Sequence, residues 1–475
     1  MNRLKPASRI PLVIDLDGTL IYSDMLWEGI VLFLKQRFFE AWRLPLWLLR
    51  GKAGFKQALA AAVHFDPATL PYDKGLLAMI ADQRALGRET VLATGSERRF
   101  AEGVAEHLQL FDRVFATDGK VNLTSSNKAG ALVQAYGEQG FDYVGNAHAD
   151  IPVWKRSSTA YSVTRRPFQL GNGRVTESAG SRRAGWAWPL LKAMRPRQWL
   201  KNLLVFVPML AGHALTMPSL LQSLLAFAAF SLCASSAYLL NDTLDAPDDR
   251  MHPTKHKRPI AAGSLPLPTA IGASMLLAAG GLLLSASFDP LLLLAVGCYF
   301  VATVAYSLRL KRMLMVDIVA LAILYSMRIL GGSAATHIVP SFWLLAFSFF
   351  VFLSLALLKR YSELFNLHRQ GKEKTRGRSY TTADRTPVGI MGINSAFISV
   401  LIFMLYFNSQ NVLALYPHPA WLMGIVPLLV FWLGRLWALA FRGLVNEDPV
   451  LYVSKDPVSL AVMALCAALA VAAAL

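Results

Sequence analysis

From about residue 200 onward the chain alternates long apolar runs with short polar stretches, whereas its first 185 residues carry charge throughout. Nine apolar runs fall at roughly 202–217, 219–240, 268–286, 290–307, 314–334, 341–358, 389–408, 420–440 and 457–474. A helix of about 20 apolar residues crosses a hydrocarbon core of roughly 30 Å, so each run is a candidate membrane span. The first is the weakest, because Pro208, His213 and Pro218 interrupt it. The early part has a different pattern. Leu12 to Ile14 is a short apolar run of the kind that forms a buried parallel strand. "ETVLATGS" (89–96) and "FDYVGNAHADIPVW" (141–154) repeat the pattern of strand then polar loop, and "SSNKAGAL" (125–132) reads as a helix start. The expectation is an α/β domain followed by an all-α membrane bundle of nine helices.

Charge between the apolar runs orients them. The loops near 210–219, 286–290, 335–341 and 408–420 hold no Lys or Arg. The alternate loops hold Arg250, Lys255, Lys257 and Arg258; Arg309, Lys311 and Arg312; a run from Lys359 to Arg385; and Arg442 with Lys455. Basic loops stay on the cytoplasmic side. That places the first domain in the cytoplasm of a bacterial cell, the bundle in its inner membrane and the C-terminus outside. The first 20 residues hold no long apolar run and no small-residue cleavage site, so no signal peptide is expected. The net charge is +17 over 475 residues, and no nucleic-acid partner is expected. Cys233, Cys298 and Cys466 all fall in apolar runs, which argues for small buried residues rather than a disulfide or metal framework.

One loop holds more charge than orientation requires. "NDTLDAPDDRMHPTKHKRPIAAG" (241–263) packs four Asp and four Lys/Arg into one stretch. Asn241, Asp245 and Asp249 are spaced by four and share a face of a continuing helix, with Pro247 placed to loosen its last turn. A row of oxygen ligands suits Mg²⁺, which usually binds through a few carboxylates and substrate phosphates. Lys255, His256, Lys257 and Arg258 supply cations for the rest of a phosphate group.

This stretch resembles the NDxxDxxxD motif of the UbiA prenyltransferase superfamily, and "YSLRLKRMLMVD" (306–317) resembles the segment after the fourth span in that superfamily. The likeness covers about 195–475. It implies a transferase in which Mg²⁺, held by Asn241, Asp242, Asp245 and Asp249, carries a diphosphate leaving group above a lipid-filled cavity. Aromatic prenyltransferases of the superfamily carry a second Asp-rich motif, DxxxD, after the sixth span. Here that loop holds Glu363 and Asp384 among eight Lys/Arg between 359 and 385. With "RPRQWLKN" (195–202), this resembles the branch of decaprenyl-phosphate phosphoribosyltransferases. The implied substrates are a polyprenyl phosphate and 5-phosphoribosyl 1-diphosphate. Phosphate binding then falls to Arg197, Lys201, Lys255, Arg258, Lys311, Lys359 and Arg360. The alternatives are a prenyltransferase using a prenyl diphosphate and an aromatic acceptor, and a lipid-binding or transport module with a scaffolding first domain.

Two charges lie inside the fifth run. Asp317 and Arg328 are eleven residues apart, about 16 Å along a helix, and cannot pair with each other. Asp317 is expected to cap a polar cavity, and Arg328 to support a helix break at Gly331–Gly332. The last inner loop, 446–456, is an acid–base cluster with no assigned role.

In the first domain, "DLDGT" (15–19) carries the DxDGT signature of haloacid-dehalogenase-like phosphohydrolases. The resemblance covers about 8–170 and implies a doubly wound, Rossmann-like fold with a Mg²⁺ site at the strand ends. It makes Asp15 the nucleophile toward a phosphoryl group and Asp17 the acid/base, both near the metal. Thr94 is the phosphate-binding hydroxyl, Lys128 and Asp150 complete the set, and Asn146 stands where the family usually places a metal-binding Asp. Residues 21–89 are expected as a helical cap. Its "LWEGIVLFLKQRFFEAWRLPLWLLRGK" (26–52) is aromatic and basic enough to lie on a membrane interface. The expected divisions are 1–170, a linker at 171–194, and 195–475.

Overall fold

The computed structural model describes residues 10–119, 121–171, 173–179, 185–374, 379–406, 412, 415–445 and 448–475. Residues 172 and 180–184 of the expected linker, 375–378 of the basic run and 446–447 of the last loop lie outside the described residues. The chain divides into two compact units, 1–194 with 238–274, and 195–237 with 275–475.

The first unit is built on a six-stranded sheet. Its strands are β1 (Leu12–Ile14), β2 (Thr90–Glu97), β3 (Arg113–Thr117), β4 (Asp142–Gly145), β5 (Ala160–Ser162) and β8 (Glu177–Ser178), in the order β3-β2-β1-β4-β5-β8. Every pairing is parallel. Side chains alternate across such a sheet. Leu12, Ile14, Leu92 and Val144 pack into one core, while Val13, Val91, Ala93 and Tyr143 pack into the other. With both faces covered, the strands read as continuous apolar runs rather than as alternation. Two short strands, β6 (Gln169–Gly171) and β7 (Arg174–Val175), form a hairpin. Strands β7 and β8, and a helix over Ala187–Met194, all fall in the stretch expected as a flexible linker.

Helix α1 (Met25–Gln36) starts where the Asp24 carboxylate accepts the N–H groups of Leu26 and Trp27. It packs with α2 (Arg43–Leu48) and α3 (Gly51–Ala62) around Phe33, Phe55 and Leu59, which gives the cap a core of its own. Its outer side leaves Phe38, Phe39, Trp42 and Leu49 exposed. Helix α4 (Lys74–Ala85) then leads into β2. Between them Arg88 is fully buried and pairs with Asp142 at the start of β4.

Eight described helices are long and apolar enough to cross a membrane, against the nine expected. They run over 217–244, 267–286, 290–308, 316–336, 342–369, 382–406, 419–441 and 457–474. The ninth fails at the first run. There the chain forms an eleven-residue 3-10 stretch, Pro196–Phe206, and one short helix, Val207–Ala211. Left-handed backbone at Arg195 and His213 closes it at both ends. Apolar content alone did not make that segment a membrane-length helix.

The second unit packs in the manner of membrane bundles, with small residues admitting close approach and hydroxyls linking helices. A Cβ on Gly392 would lie 2.1 Å from Trp437 Cζ2. Beside that contact the Ser354 hydroxyl donates to the Gly392 carbonyl at 2.9 Å and accepts from Trp437 Nε1 at 3.0 Å. The expected helix break at Gly331–Gly332 does not occur, because the helix Val316–Thr336 is continuous. The two glycines serve packing instead. Added Cβ atoms would lie 2.2 Å from the Phe230 ring and 1.9 Å from the Val205 carbonyl oxygen.

The Val205 contact is with backbone, which no rotamer change relieves. Gly332→Ala is therefore expected to destabilise the detergent-solubilised protein by about 1–3 kcal/mol through overpacking. Gly434→Ala, whose Cβ would meet nothing within 4 Å, is expected to leave the midpoint unchanged or raised. Thermal unfolding of both variants beside the parent checks this.

Candidate active site

In the first unit the chemistry gathers at the carboxyl ends of β1, β2 and β4. Asp15 follows β1 directly and is buried. Lys128, on the helix Ser125–Tyr136, donates to Asp15 Oδ1 at 2.7 Å and to the Tyr143 hydroxyl at 2.9 Å. Tyr143 donates to Asp150 Oδ1 at 2.8 Å. The other oxygen of Asp150 accepts the backbone N–H groups of Asn146 and Ala147, each at 3.0 Å, and so folds the loop after β4. Asp150 thus acts on the loop and on Lys128, 3.8 Å away. Asn146 lies over the turn after Asp17. A Cβ on Gly18 would come within 2.1 Å of its amide nitrogen, and Gly18 takes a φ of +73°, which also requires glycine.

Asp17 faces β2. Its Oδ2 accepts from Ser96 Oγ at 2.5 Å and from Thr94 Oγ1 at 3.2 Å, and its Oδ1 accepts the Met25 N–H at 2.7 Å. Thr94 is fully buried with its hydroxyl on Asp17. Burial pushes the Asp15 carboxyl up to about 7, with Asp150 and Asp17 adding repulsion and Lys128 opposing it. The carboxylates of Asp15, Asp17, Asp24 and Asp150 outnumber the ammonium groups of Lys56 and Lys128, which leaves the site short of positive charge.

The Asp-rich stretch also belongs to the first unit. Pro247 does not interrupt the helical course. The Asp245 N–H reaches the Asn241 carbonyl at 2.9 Å, the Asp249 N–H reaches Asp245 at 2.8 Å, and a short helix runs Ala246–Arg250. The pair that converges is Asp242 with Asp249, two turns apart. Both are buried, and they share Arg258 Nη1 at 3.1 and 2.7 Å. Burial raises the Asp249 carboxyl above its usual range despite Arg258. Lys255, half-buried, adds its charge to the same carboxylate.

In the second unit Lys201 and Lys359 act together on Asp448. Lys201 Nζ bonds Asp448 Oδ2 at 2.8 Å. Burial alone would raise Asp448, but the charges of Lys201 and Lys359 hold it below the usual carboxylate range. Arg360, next in the chain, is 1% exposed and pairs with both Asp317 and Glu363, while its Nε is buried without a partner. Tyr380 donates to Asp317 at 2.7 Å. Asp317, expected to cap a polar cavity, is instead fully buried and neutralises Arg360. The Arg328 guanidinium donates instead to Asn202 at 2.7 Å, the Tyr299 hydroxyl at 2.9 Å and the Leu324 carbonyl at 2.5 Å. Lys311 lies half-buried on a 3-10 turn and Arg197 is exposed.

Sequence reasoning missed Tyr143, Ser96, Tyr380 and the role of Asp448. Glu363 lies one helical turn from Arg360 and was available as a pair from spacing alone. Asp448, 247 residues from Lys201, carried no such signal.

The sequence model of the UbiA prenyltransferase family matches residues 204–451, and that of haloacid dehalogenase-like hydrolases matches 12–155. This chain belongs to the UbiA prenyltransferase family. It is a multi-pass membrane transferase with a haloacid-dehalogenase-like domain at its start. An uncharacterized protein of Sinorhizobium fredii is 34% identical over 479 residues, covering 97% of this chain and 90% of that one. Nodulation protein NoeC of Azorhizobium caulinodans is 34% identical over 273 residues, 57% of this chain and 88% of that one. A decaprenyl-phosphate phosphoribosyltransferase of Mycolicibacterium smegmatis is 38% identical over 200 residues, 41% of this chain and 63% of that one.

Both families are Mg²⁺-dependent. Among the described residues no three His, Cys, Asp or Glu side chains gather as a metal-ligating group. The donor chemistry nevertheless fits a hard divalent cation at both places. Asp15 and Asn146 line a site short of positive charge, and Asp242 and Asp249 converge on Arg258.

Removing Arg258 leaves two buried carboxylates facing each other. Arg258→Ala is expected to destabilise the protein in chelator by up to about 3 kcal/mol. Millimolar Mg²⁺ is expected to recover more of the unfolding midpoint in the variant than in the parent. Equal Mg²⁺ response in both, read by thermal unfolding, would remove the Asp242–Asp249 pair from consideration as a metal site.

Proposed function

We propose that the transferase joins a polyprenyl phosphate to 5-phosphoribosyl 1-diphosphate, and that the haloacid-dehalogenase-like domain removes the 5-phosphate from the product. The observation that carries the first half is the pair of ammonium groups Lys201 and Lys359, which both act on Asp448, with Glu363 as the other acid near Lys359. Similarity to the mycobacterial phosphoribosyltransferase supports the same reading.

In this reaction a lipid phosphate oxygen attacks C1 of ribose, the C1–O bond to diphosphate breaks, and diphosphate leaves. The attacking phosphate is already anionic, so no strong base is required. Asn241, Asp242, Asp245 and Asp249 would hold Mg²⁺, which supplies neutralising charge to the diphosphate. Arg258 stands among these carboxylates as the chain's own cation for the leaving group. Lys201 and Lys359 bind phosphate oxygens, with Arg197, Lys255 and Lys311 in supporting positions, while Arg360, buried between Asp317 and Glu363, serves the fold instead.

In the phosphatase half, an Asp15 oxygen attacks phosphorus, the ester P–O bond breaks, and Asp17 gives the leaving oxygen its proton. Water then cleaves the acyl phosphate, returns a proton to Asp17 and releases inorganic phosphate. Asp15 and Asn146 would hold the Mg²⁺ that neutralises the phosphoryl oxygens. Lys128, bonded to Asp15 and Tyr143, orients the nucleophile.

Purified protein in detergent is expected to release diphosphate from 5-phosphoribosyl 1-diphosphate only when polyprenyl phosphate is present, and Asp245→Asn is expected to lose at least 100-fold in that rate. Diphosphate release from a prenyl diphosphate with an aromatic acceptor instead would replace the reading with the prenyltransferase one. In the lipid fraction, Asp15→Asn is expected to accumulate polyprenyl-phosphoribose 5-phosphate, and the parent its dephosphorylated form. Mass spectrometry showing the 5-phosphate form alone in both would rule out the coupled reaction.

A further inference from the structure

The phosphatase pocket has a wall that the phosphatase sequence does not supply. A cavity of about 700 Å³ opens from Asp15, Asp17, Lys128 and Asn146, and its opposite side is formed by Ala262, Gly263, Ser264, Pro266, Leu267 and Pro268. All of these residues lie in the first unit. The second group follows the Asp-rich stretch and belongs to the transferase sequence.

Two contacts seat this wall. Gly263 takes a φ of +71° directly on Tyr22, where a Cβ would lie 2.3 Å from the Tyr22 Cβ and 2.9 Å from its carbonyl oxygen. Ahead of it Arg250 grips Glu28 on the cap helix. The guanidinium bonds the two Glu28 oxygens at 2.7 and 3.1 Å, and the side chains are 7% and 2% exposed. Arg250 also donates to the carbonyls of Thr69 and Ala261, both at 3.2 Å. Glu28 accepts the Ser23 hydroxyl at 2.5 Å, and the Ser23 carbonyl accepts the N–H of Gly18, beside Asp17. A chain of hydrogen bonds thus runs from the transferase loop to the catalytic turn.

The wall also says what the pocket takes. Leu267 and Pro268 are the first two residues of a membrane-length helix, so the wall stands within about one helical turn of the start of a span. Trp186, half exposed, lines the same cavity with Pro266, Leu267 and Pro268 and gives it apolar surface beside the acids. Trp is favoured where one side of a site is wet and the other meets lipid. A cavity of this size exceeds the needs of a phosphoryl group and matches a small organic ligand.

We propose that residues 262–268 are the substrate-selecting wall of the phosphatase pocket, and that the pocket takes a phosphomonoester presented on a membrane anchor rather than a free sugar phosphate. This rests on the phosphatase reading of the first unit and not on the identity of the sugar donor. Glu28 and Arg250 are positioning residues, because they hold the wall without touching the substrate.

The test supplies the substrate ready-made, so it does not depend on transfer. Full-length protein in nanodiscs is given ribose 5-phosphate or farnesyl-phosphoryl-ribose 5-phosphate, and phosphate release is followed. The parent is expected to favour the anchored probe at least tenfold in kcat/KM. Glu28→Gln, and separately Pro266→Asp, are expected to bring that ratio toward one through a raised KM for the anchored probe. The ratio is read within each variant, so a general loss of folded protein does not imitate the effect. Equal use of both probes by the parent overturns the proposal while leaving the phosphatase reading intact. A preference unchanged in both variants overturns the role of the wall. Hydrolysis of neither probe overturns the proposal together with the phosphatase reading, and leaves the transferase reading to its own diphosphate assay.

Discussion

A charge taken out of water must find its counter-charge inside the protein, and this constraint organises both units. Leaving one member of a buried pair alone costs about 3–5 kcal/mol. Arg360 meets Asp317 and Glu363, Lys201 meets Asp448, Arg250 meets Glu28, and Arg258 meets Asp242 and Asp249. Two of these pairs, Lys201–Asp448 and Arg250–Glu28, join residues more than 200 positions apart, so they draw together segments that local propensity would leave separate. Around Asp15, burial, with repulsion from Asp150 and Asp17 added, pushes the acid up despite Lys128, and the site fits a cation.

Arg360 shows why this distinction was hidden in the sequence. Its place in a basic loop made it a phosphate ligand on reading, yet two carboxylates take both of its terminal nitrogens. One of those partners, Glu363, was visible at helical spacing; the other, Asp317, was recognised only as a charge in a span. The elements that were legible were those set by local pattern. Leu12–Ile14 became β1, and eight of the nine apolar runs became long helices within a few residues of their expected ends, except that the run at 341–358 continues as helix to Arg369. The first run failed because hydropathy counts apolar residues without regard to backbone. There a 3-10 stretch that starts at the left-handed Arg195 and a helix of five residues take the place of one long helix. The DxDGT turn, Lys128 and Asp150 came together as their motifs implied, since motif order in a doubly wound fold already brings strand ends together.

The Asp-rich row was legible in composition but not in geometry. Spacing by four selected Asn241, Asp245 and Asp249, whereas the carboxylates that converge are Asp242 and Asp249, seven apart, on one guanidinium. Both spacings return to nearly one face of a helix, so periodicity could not choose between them. The choice is made by Arg258, which follows the helix on an extended residue and turns back over it. An arginine between two carboxylates keeps them together without metal. In the proposed reaction it would move from carboxylate to phosphate as a divalent cation takes the carboxylates, since the guanidinium matches either oxyanion.

The stretch that carries this row also carries the wall of the phosphatase pocket, and the two are only a few residues apart. Arg250 follows Asp249 directly; the one faces Glu28 on the cap and the other faces Arg258. A helical segment of five residues thus holds one end of the transferase's carboxylate set and one end of the clamp on the phosphatase turn. Movement of that segment on metal or diphosphate binding would be felt at Glu28, and through Ser23 at Gly18. Separate proteins would have to find each other to share such an element. Within one chain its ordering is accomplished once, on folding, and serves both sites.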